Sequence, residues 1–300
     1  FGPRQFRFVL GEGMKPMVKE ADGKLRTDLP KPNSRDDATK AAAAVDEWKL
    51  LKKTVAQVAK VQAVRLEQAM VTGRRWSRSE FEELLVRHPL MTNLVRLLVW
   101  GGYNAEGRLA GTFRVTEDLT YASGTDEEVT LDEFAQVGIV HPYHLDAEER
   151  SVWGELFADY ELVPPFSQLG RPILTLEPSE EDQTELKRFA CFKVAPQSLV
   201  STLEKLDWQR GMAEDGGVYY LHSKPFYGAN VTAVVEYEGV PMGYLDDWDD
   251  QSIDRCFFVS GIWKPDSDFE ARNRLPLGKA DPVVISEVLS DLSTVVAKAK

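Results

Sequence analysis

The first quarter of the chain changes from alternating to helical patterning of apolar residues. "QFRFVL" and "KPMVKEADGKLRT" alternate apolar and polar positions, which predicts short strands, the second pair turning at Asp22-Gly23. "DLPKPNSRDDATK" has no apolar period, so we expect a linker or an exposed loop there. From Asp46 apolar residues recur every three or four positions, which predicts a long amphipathic helix that ends at Gly73.

A second helical region is predicted after this glycine. Ser77 and Glu80 have the spacing of a capping box, which places a helix start before "RSEFEELLVRH". Pro89 interrupts that helix, and "LMTNLVRLLVW" continues the helical pattern as far as Gly101-Gly102. The following "RLAGTFRVTEDLTYAS" predicts two strands around a tight turn.

Two further capping boxes are predicted in the middle of the chain. Thr130 and Glu133 form the first, and Asp146 and Glu149 form the second. The second box lies between the apolar strand "VGIV" and the helix "AEERSVWGELFADY". This stretch is therefore predicted to be a strand-to-helix junction.

The C-terminal part repeats the mixture of helices and strands. "VPPFSQLGRP" is the best internal boundary, and it precedes a predicted strand "ILTLEP". "EEDQTELKRFACFKV" and "PQSLVSTLEKLDWQRG" are predicted helices, the second closed by Gly211. Three strands are predicted in "GGVYYLHSKPF", "NVTAVVEYEGVPM" and "RCFFVSGIWKP", before a last helix that begins near Pro282.

Helices and strands occur in runs and do not alternate strictly. This order favours an α+β fold in which helices pack on antiparallel sheets, arranged in two sub-regions. We predict an N-terminal hairpin and linker over 1–39, a helical pair with hairpins and the strand-helix unit over 40–165, and a second α+β sub-domain over 166–300.

Composition places the chain among globular proteins. It has 300 residues, of which 43% are hydrophobic and 28% charged, and no apolar run is long enough for a membrane span. The first residue is Phe1 with no signal-peptide pattern after it, so we expect a cytoplasmic fragment of a longer protein. Cys191 and Cys256 each stand among core-type residues, which predicts buried free thiols.

Charge is distributed unevenly along the chain. The net charge of −12 disfavours nucleic acid as the ligand of the whole chain. Residues 40–100, however, carry eleven Lys/Arg against six Asp/Glu (net +5), which leaves 25 against 42 (net −17) elsewhere. A basic helical region that meets an acidic body or a partner would account for this asymmetry.

The histidines of "VGIVHPYHLDAEERSVWGELF" are the first candidates for chemistry. His141 and His144 stand where a strand leads into a helix start, which suits a metal half-site or an acid/base histidine. A catalytic metal usually needs three ligands, and His88 and His222 are far away in sequence. A capped junction without catalysis explains the same residues. His222, in the aromatic and basic "VYYLHSKPFYG", is a third weak catalytic candidate.

Two charged segments are candidates for binding. Cations and an aromatic residue in "TGRRWSRSE" suit an anionic ligand; these are Arg74, Arg75, Trp76 and Arg78. Stabilisation of the helix dipole by the cations, with Trp76 packed on the next helix, is the alternative explanation. "DDWDDQSID" includes Asp247 and Asp249 as weak metal candidates, but it does not fit the calcium-loop pattern. No nucleotide-binding, serine-hydrolase or zinc motif is present, so we expect no cofactor.

Several phrases together resemble a known bacterial family. "RLLVWGGYNAEGRLAGTFRV", "VGIVHPYHLDAEERSVWGELFADYELVPPFSQLGRP" and "LPLGKADPVVISEVLSDL" are similar to the uncharacterised domain of MolR-like proteins, domain of unknown function family 4132. The resemblance implies that the chain is the C-terminal portion of a larger protein, in some members together with a WGR domain. It implies no activity and no catalytic residues.

These observations leave three functional hypotheses. The first is a non-catalytic binding or interaction module with a protein partner, upstream domains of the same polypeptide or an anionic ligand. The second is an enzyme whose pocket joins His141 or His144 to arginines or to His222. The third is regulatory binding of nucleic acid through the basic helices.

Overall fold

The computed structural model describes residues 1–214, 216–243 and 248–299, apart from the side chain of Glu12. The chain divides into two compact units, which are described separately below. Unit 1 comprises 1–70 and 75–170, and unit 2 comprises 71–74 and the chain from 171 onward. The predicted three-part division at 1–39, 40–165 and 166–300 stays a prediction.

Unit 1 contains eight strands and four α-helices among its described residues. The strands are β1 (Phe6–Leu10), β2 (Pro16–Glu20), β3 (Leu25–Arg26), β4 (Arg75–Ser77), β5 (Trp100–Tyr103), β6 (Leu109–Val115), β7 (Tyr121–Ala122) and β8 (Gln136–Ile139). The helices are α1 (Ala38–Val71), α2 (Arg78–Phe81, continued by a π-helical turn, Glu82–Val86), α3 (Thr92–Val95) and α4 (Ala147–Asp159). Short 3₁₀ turns occur at Glu12–Met14, Leu131–Glu133 and Pro142–His144.

Unit 2 is built on longer strands. Its described elements are β9 (Lys193–Val194), α5 (Pro196–Lys205), β10 (Gln209–Arg210), β11 (Val218–Phe226), β12 (Val231–Pro241), β13 (Gln251–Ser260), a 3₁₀ turn (Leu277–Lys279) and α6 (Pro282–Val296).

The described strands form three antiparallel sheets. In unit 1 the orders are β1-β2-β3 and β4-β8-β5-β6-β7, and in unit 2 the order is β10-β11-β12-β13-β9. The α+β fold class predicted from the sequence is therefore confirmed. The hairpins, the three C-terminal strands and the last helix are confirmed with it. The long helix is present, but it begins at Ala38, inside the predicted loop, instead of at Asp46.

The strand-to-helix junction anchors the core of unit 1. A cluster of buried side chains joins α4 to the sheet; its members are Val99, Val140, Leu145, Trp153, Leu156 and Phe157. Asp146 begins α4 with a complete capping box, since the Asp146 carboxylate accepts from the Glu149 amide at 2.8 Å and the Glu149 carboxylate accepts from the Asp146 amide at 2.9 Å. The box predicted at Ser77 and Glu80 is also present.

A buried ion pair fixes α6 in unit 2. Lys224 Nζ lies 2.9 Å from Asp291 Oδ2, and the two side chains are 3% and 6% exposed. Lys224 also donates to the Leu206 carbonyl oxygen, and Trp208 Nε1 donates to the same Asp291 oxygen at 2.9 Å. Because the two charged groups pair with each other and each has a further hydrogen bond, the free-energy cost of burying them is offset.

Three local predictions are wrong in unit 1. "LMTNLVRLLVW" is helical only over Thr92–Val95, and Gly101-Gly102 lie inside β5 instead of ending a helix. The reason is tertiary: a Cβ on Gly102 would lie 2.2 Å from the ring of Phe134, so the glycine admits that ring against the sheet. Thr130 precedes a 3₁₀ turn and makes no side-chain capping hydrogen bond.

The predictions for 171–192 are also wrong. "ILTLEP" forms no strand and "EEDQTELKRFACFKV" forms no helix; the described residues there are turns and extended backbone up to β9. The Leu174 amide donates to Ser286 Oγ of α6 at 3.0 Å, and Leu186 exchanges backbone hydrogen bonds with Cys256 of β13 at 2.7 and 3.0 Å, so contacts with α6 and β13 hold this segment. Cys191 is exposed, contrary to expectation, whereas Cys256 is buried as predicted.

The end of α5 also differs from the prediction. α5 stops at Lys205, and the chain then adopts a left-handed conformation at Asp207 (φ 67°). Gln209–Arg210 joins the sheet as β10 instead of extending the helix to Gly211. Pairing with β11 therefore decides the structure of these residues.

Candidate functional site

The junction histidines lie in different environments. His141 is buried and begins the 3₁₀ turn, where its Nδ1 accepts a hydrogen bond from the Tyr143 amide at 3.1 Å. His144 is exposed at the end of that turn, and its amide donates to the His141 carbonyl oxygen at 2.9 Å. Arg150 donates to the Pro142 and Leu145 carbonyl oxygens of the same turn. These contacts are those of a capped turn.

His222 belongs to the core of unit 2. It is fully buried on β11, and its Nδ1 lies 3.0 Å from the Tyr237 hydroxyl. Its Nε2 has no hydrogen-bond partner among the described residues. Burial, with the charge of Arg210 as a smaller cause, lowers the pKa of His222 to about 3. The imidazole is therefore neutral at physiological pH, and burial limits its access to a substrate.

The anion-binding candidates of "TGRRWSRSE" make intramolecular contacts. Arg75 stacks 3.7 Å from the ring centroid of Tyr103 and donates to the Gly107 carbonyl oxygen at 2.9 Å. Arg78 pairs with Asp132 at 2.8 Å. Trp76 is buried against Trp100, so its ring is not available for stacking on a ligand, and Arg74 is exposed in unit 2. Anion binding by this segment stays a prediction.

Only one of the two metal candidates belongs to the described residues. Asp247 lies outside the described residues. Asp249 is exposed, and its carbonyl oxygen accepts from Gln251 Nε2 at 3.0 Å. In the part of the chain that the structure describes, no three acidic, histidine or cysteine residues gather as a metal site.

A groove beside the β6–β7 hairpin is the best candidate site, although none of its residues was selected from the sequence. We call it the hairpin groove. Its volume of about 650 Å³ lies in the range of small-ligand sites. Four parts of unit 1 line it: the end of α3, the hairpin, the loop after β7, and the segment after α4. The charged and aromatic residues of its lining include Arg96, Arg114, Glu117, Asp118, Glu128 and Tyr160.

The floor of the hairpin groove is cationic. Arg114 is only 9% exposed, its guanidinium lies 4.6 Å from the ring centroid of Tyr160, and its Nη2 donates to Asp126 Oδ1 at 2.8 Å. The Arg114 Nε has no hydrogen-bond partner among the described residues. Arg96 is also largely buried and pairs loosely with Glu117, at 3.6 Å.

The rim of the hairpin groove is acidic. Glu117 is 89% exposed, and Asp118 and Glu128 are also exposed. Hydroxyl groups of Thr116 and Thr120 donate to the Asp118 carboxylate and lower its pKa to about 2. The rim is therefore negatively charged at neutral pH.

Asp126 joins the floor to the wall of the hairpin groove. It accepts from Arg114 and, through Oδ2, from the Tyr160 hydroxyl at 2.8 Å. These two bonds lower the pKa of Asp126, and the same carboxylate raises the pKa of Tyr160. With Asp126 included, four carboxylates and two guanidinium groups line the groove, a formal net charge of −2.

The sequence carries only a weak signal for this site. The segment "RLAGTFRVTEDLTYAS" predicts only two strands around a tight turn, and Arg114 is one of many cations on predicted strands. Their meeting with Tyr160, more than 30 residues further along the chain, depends on how α4 packs on the sheet. An arginine inside an otherwise apolar run, as in "TFRV", is the one local feature that could have drawn attention to it.

Comparison with known proteins assigns the family. Each unit is an α+β structure, and the hairpin groove provides a site of mixed charge. A family model described as "Domain of unknown function (DUF4132)" matches residues 23–208, which is more than half of the chain. The chain belongs to this family.

One curated relative is similar over most of the chain. It is "Uncharacterized protein YehI" of Escherichia coli (strain K12), which is 38% identical over 223 residues. The match covers 74% of this chain but only 18% of the relative. No solved structure matches the chain. None of the described helices is both long and apolar enough to cross a membrane.

Proposed function

We propose that the chain is a non-catalytic binding module of a larger bacterial protein that acts in the cytoplasm. The short share of the relative that it matches supports the larger context. The resemblance to MolR-like proteins, some of which carry a WGR domain, supports a position in the C-terminal portion.

The hairpin groove is the ligand site in this proposal, and its separation of charge is the observation that carries it. The buried floor offers guanidinium donors of Arg96 and Arg114, which suit a carboxylate. The exposed rim offers the carboxylates of Asp118 and Glu128, which suit an ammonium or guanidinium group. A ligand that carries both charges, such as a short peptide segment with an acidic and a basic residue, satisfies both ends.

Two features of the groove make such binding favourable. Glu117 is almost fully exposed and only loosely paired, so a ligand carboxylate can replace it on Arg96 at small cost. The ring of Tyr160, 52% exposed, offers an apolar surface beside the charges for the aliphatic part of a ligand.

Calorimetric titration tests this proposal with three probes: the dipeptide lysyl-aspartate, the dianion succinate and the diamine cadaverine. The dipeptide is expected to bind more tightly than succinate or cadaverine, each of which carries charges of one sign only. Arg96→Gln and Glu128→Gln should each weaken dipeptide binding, whereas Arg108→Gln, an exposed residue outside the groove, should not. Equal binding by succinate, or an effect of Arg108→Gln as large as that of Glu128→Gln, would contradict the proposal.

A further inference from the structure

The long helix α1 has a second apolar stripe that faces solvent. Its buried side includes Trp48, Val55 and Leu66. Because successive residues of a helix turn by about 100°, Leu50, Val61 and Val64 lie on the opposite side. Their exposed fractions are 66%, 50% and 50%. We call this side of α1, from Leu50 to Val64, the outer stripe.

The outer stripe follows the spacing of a helix-packing seam. Leu50 and Val64 are two heptads apart, the heptad position between them is the polar Gln57, and Val61 precedes Val64 by three. Apolar residues in this pattern are typical of a surface on which another helix packs. The buried side chains of α1 lie on the other side of the helix, so packing in the core of unit 1 does not explain why the outer stripe is apolar.

The charge around the outer stripe has one sign. Between Trp48 and Leu66 the helix carries five cationic residues and no acidic residue; these are Lys49, Lys52, Lys53, Lys60 and Arg65. Lys49 pairs with Asp46 at 3.2 Å and Lys52 with Asp28 at 3.1 Å. Within the described residues Lys53, Lys60 and Arg65 have no ion-pair partner. A partner helix with glutamate or aspartate beside its apolar stripe would complement this charge.

We propose that the outer stripe of α1 binds an acidic amphipathic helix of a partner protein. The exposed valines and leucine provide apolar contact, and the lysines select the charge of the partner. Nucleic acid fits the lysines but not the apolar stripe, because phosphate recognition requires no leucine or valine. A protein helix is therefore the partner that both observations favour.

Fluorescence anisotropy with synthetic helical peptides tests this inference on the whole 300-residue chain. The probe is a labelled peptide of about three heptads with leucine at a and d and glutamate at e and g. A second peptide has lysine in place of every glutamate, and a short DNA duplex is the third probe. The acidic peptide is expected to bind at least about tenfold more tightly than the lysine peptide.

Matched variants separate the stripe from a general charge effect. The double variant Val61→Gln/Val64→Gln should weaken binding of the acidic peptide about tenfold, and Lys53→Gln/Lys60→Gln should weaken it several-fold. Leu84→Gln, which removes another half-exposed apolar side chain of unit 1, should leave it unchanged. Circular dichroism melting checks that each variant folds.

Three outcomes would overturn the inference. The first is no binding of the acidic peptide. The second is equal or tighter binding of the lysine peptide or of the DNA duplex. The third is an unchanged affinity in Val61→Gln/Val64→Gln, since the stripe would then not contribute. The hairpin-groove proposal is independent of all three, because the groove shares no residue with the outer stripe.

Discussion

Removing one partner of the buried ion pair in unit 2 should cost far more stability than removing both. In Asp291→Ala the ammonium group of Lys224 loses its carboxylate and keeps only the Leu206 carbonyl oxygen as a hydrogen-bond partner. The indole N–H of Trp208 also loses its acceptor. The variant therefore leaves a buried, uncompensated charge.

The magnitude follows from the burial of the pair. Breaking a buried ion pair from one side costs about 3–5 kcal/mol of unfolding free energy. The double variant Lys224→Met/Asp291→Leu replaces both charges with apolar side chains and leaves mainly the Trp208 N–H without a partner. An unsatisfied buried donor costs about 1–3 kcal/mol, so the double variant should be more stable than Asp291→Ala.

Urea unfolding followed by circular dichroism measures these free energies. The matched control is Glu204→Ala, which breaks the more exposed ion pair with Arg210 in the same unit. Partly exposed pairs are worth about 1 kcal/mol or less, so this control should change stability little. If Asp291→Ala costs no more than Glu204→Ala, or less than the double variant, the assignment of a buried compensated pair is contradicted.

Three further predictions concern pH and packing. The folded pKa of His222, about 3, lies below its unfolded value, so the unfolding free energy should fall by up to ~1.4 kcal/mol per pH unit as pH drops from about 6.5 towards 3. His222→Gln should lack this slope, and parallel profiles would contradict the prediction. Gly102→Ala should lower the unfolding free energy by about 1–3 kcal/mol, because the new methyl group clashes with Phe134. Gly154→Ala in α4, where a Cβ would meet nothing within 4 Å, should raise the unfolding free energy by up to about 1 kcal/mol. Thermal melts in which both variants shift the melting temperature in the same direction would refute this. Asp146→Ala should cost about 1 kcal/mol in the same melts by removing the α4 cap, and an unchanged melting temperature would contradict it.

Local patterns predicted the elements whose structure local chemistry decides. The capping boxes at Ser77 and Asp146 were correct because each needs only a side chain and amides within three residues. The three long strands of unit 2 were correct because alternating apolar residues suit a half-buried strand and continuous apolar residues suit a buried one. The box at Thr130 shows the limit, since the pattern is present but the capping bond is not.

Long-range contacts decide the elements that were missed. The residues up to Trp100 have helical patterning, but Gly102 of β5 leaves room for the ring of Phe134, a contact that no local rule predicts. The segment 171–192 was predicted as a strand and a helix, but contacts with α6 and β13 hold it in turns and extended backbone. The hairpin groove was missed for the same reason, because Arg96, Arg114 and Tyr160 are neighbours only in the folded unit.

The histidine-rich junction shows what sequence reasoning can do with a candidate site. It predicted a capped strand-to-helix junction beside the catalytic alternative, and the cap is present. It could not predict that His141 would be buried and His144 exposed, because burial depends on the packing of α4.

The proposed hairpin-groove site requires that unit 1 bind a ligand that carries both a positive and a negative group. Mapping backbone amide chemical shifts by nuclear magnetic resonance during a lysyl-aspartate titration tests this requirement. We expect shifts concentrated at residues 114–122, 126–128 and 160–162, and their loss in Glu128→Gln. Shifts that cluster elsewhere, or that persist unchanged in Glu128→Gln, would contradict it.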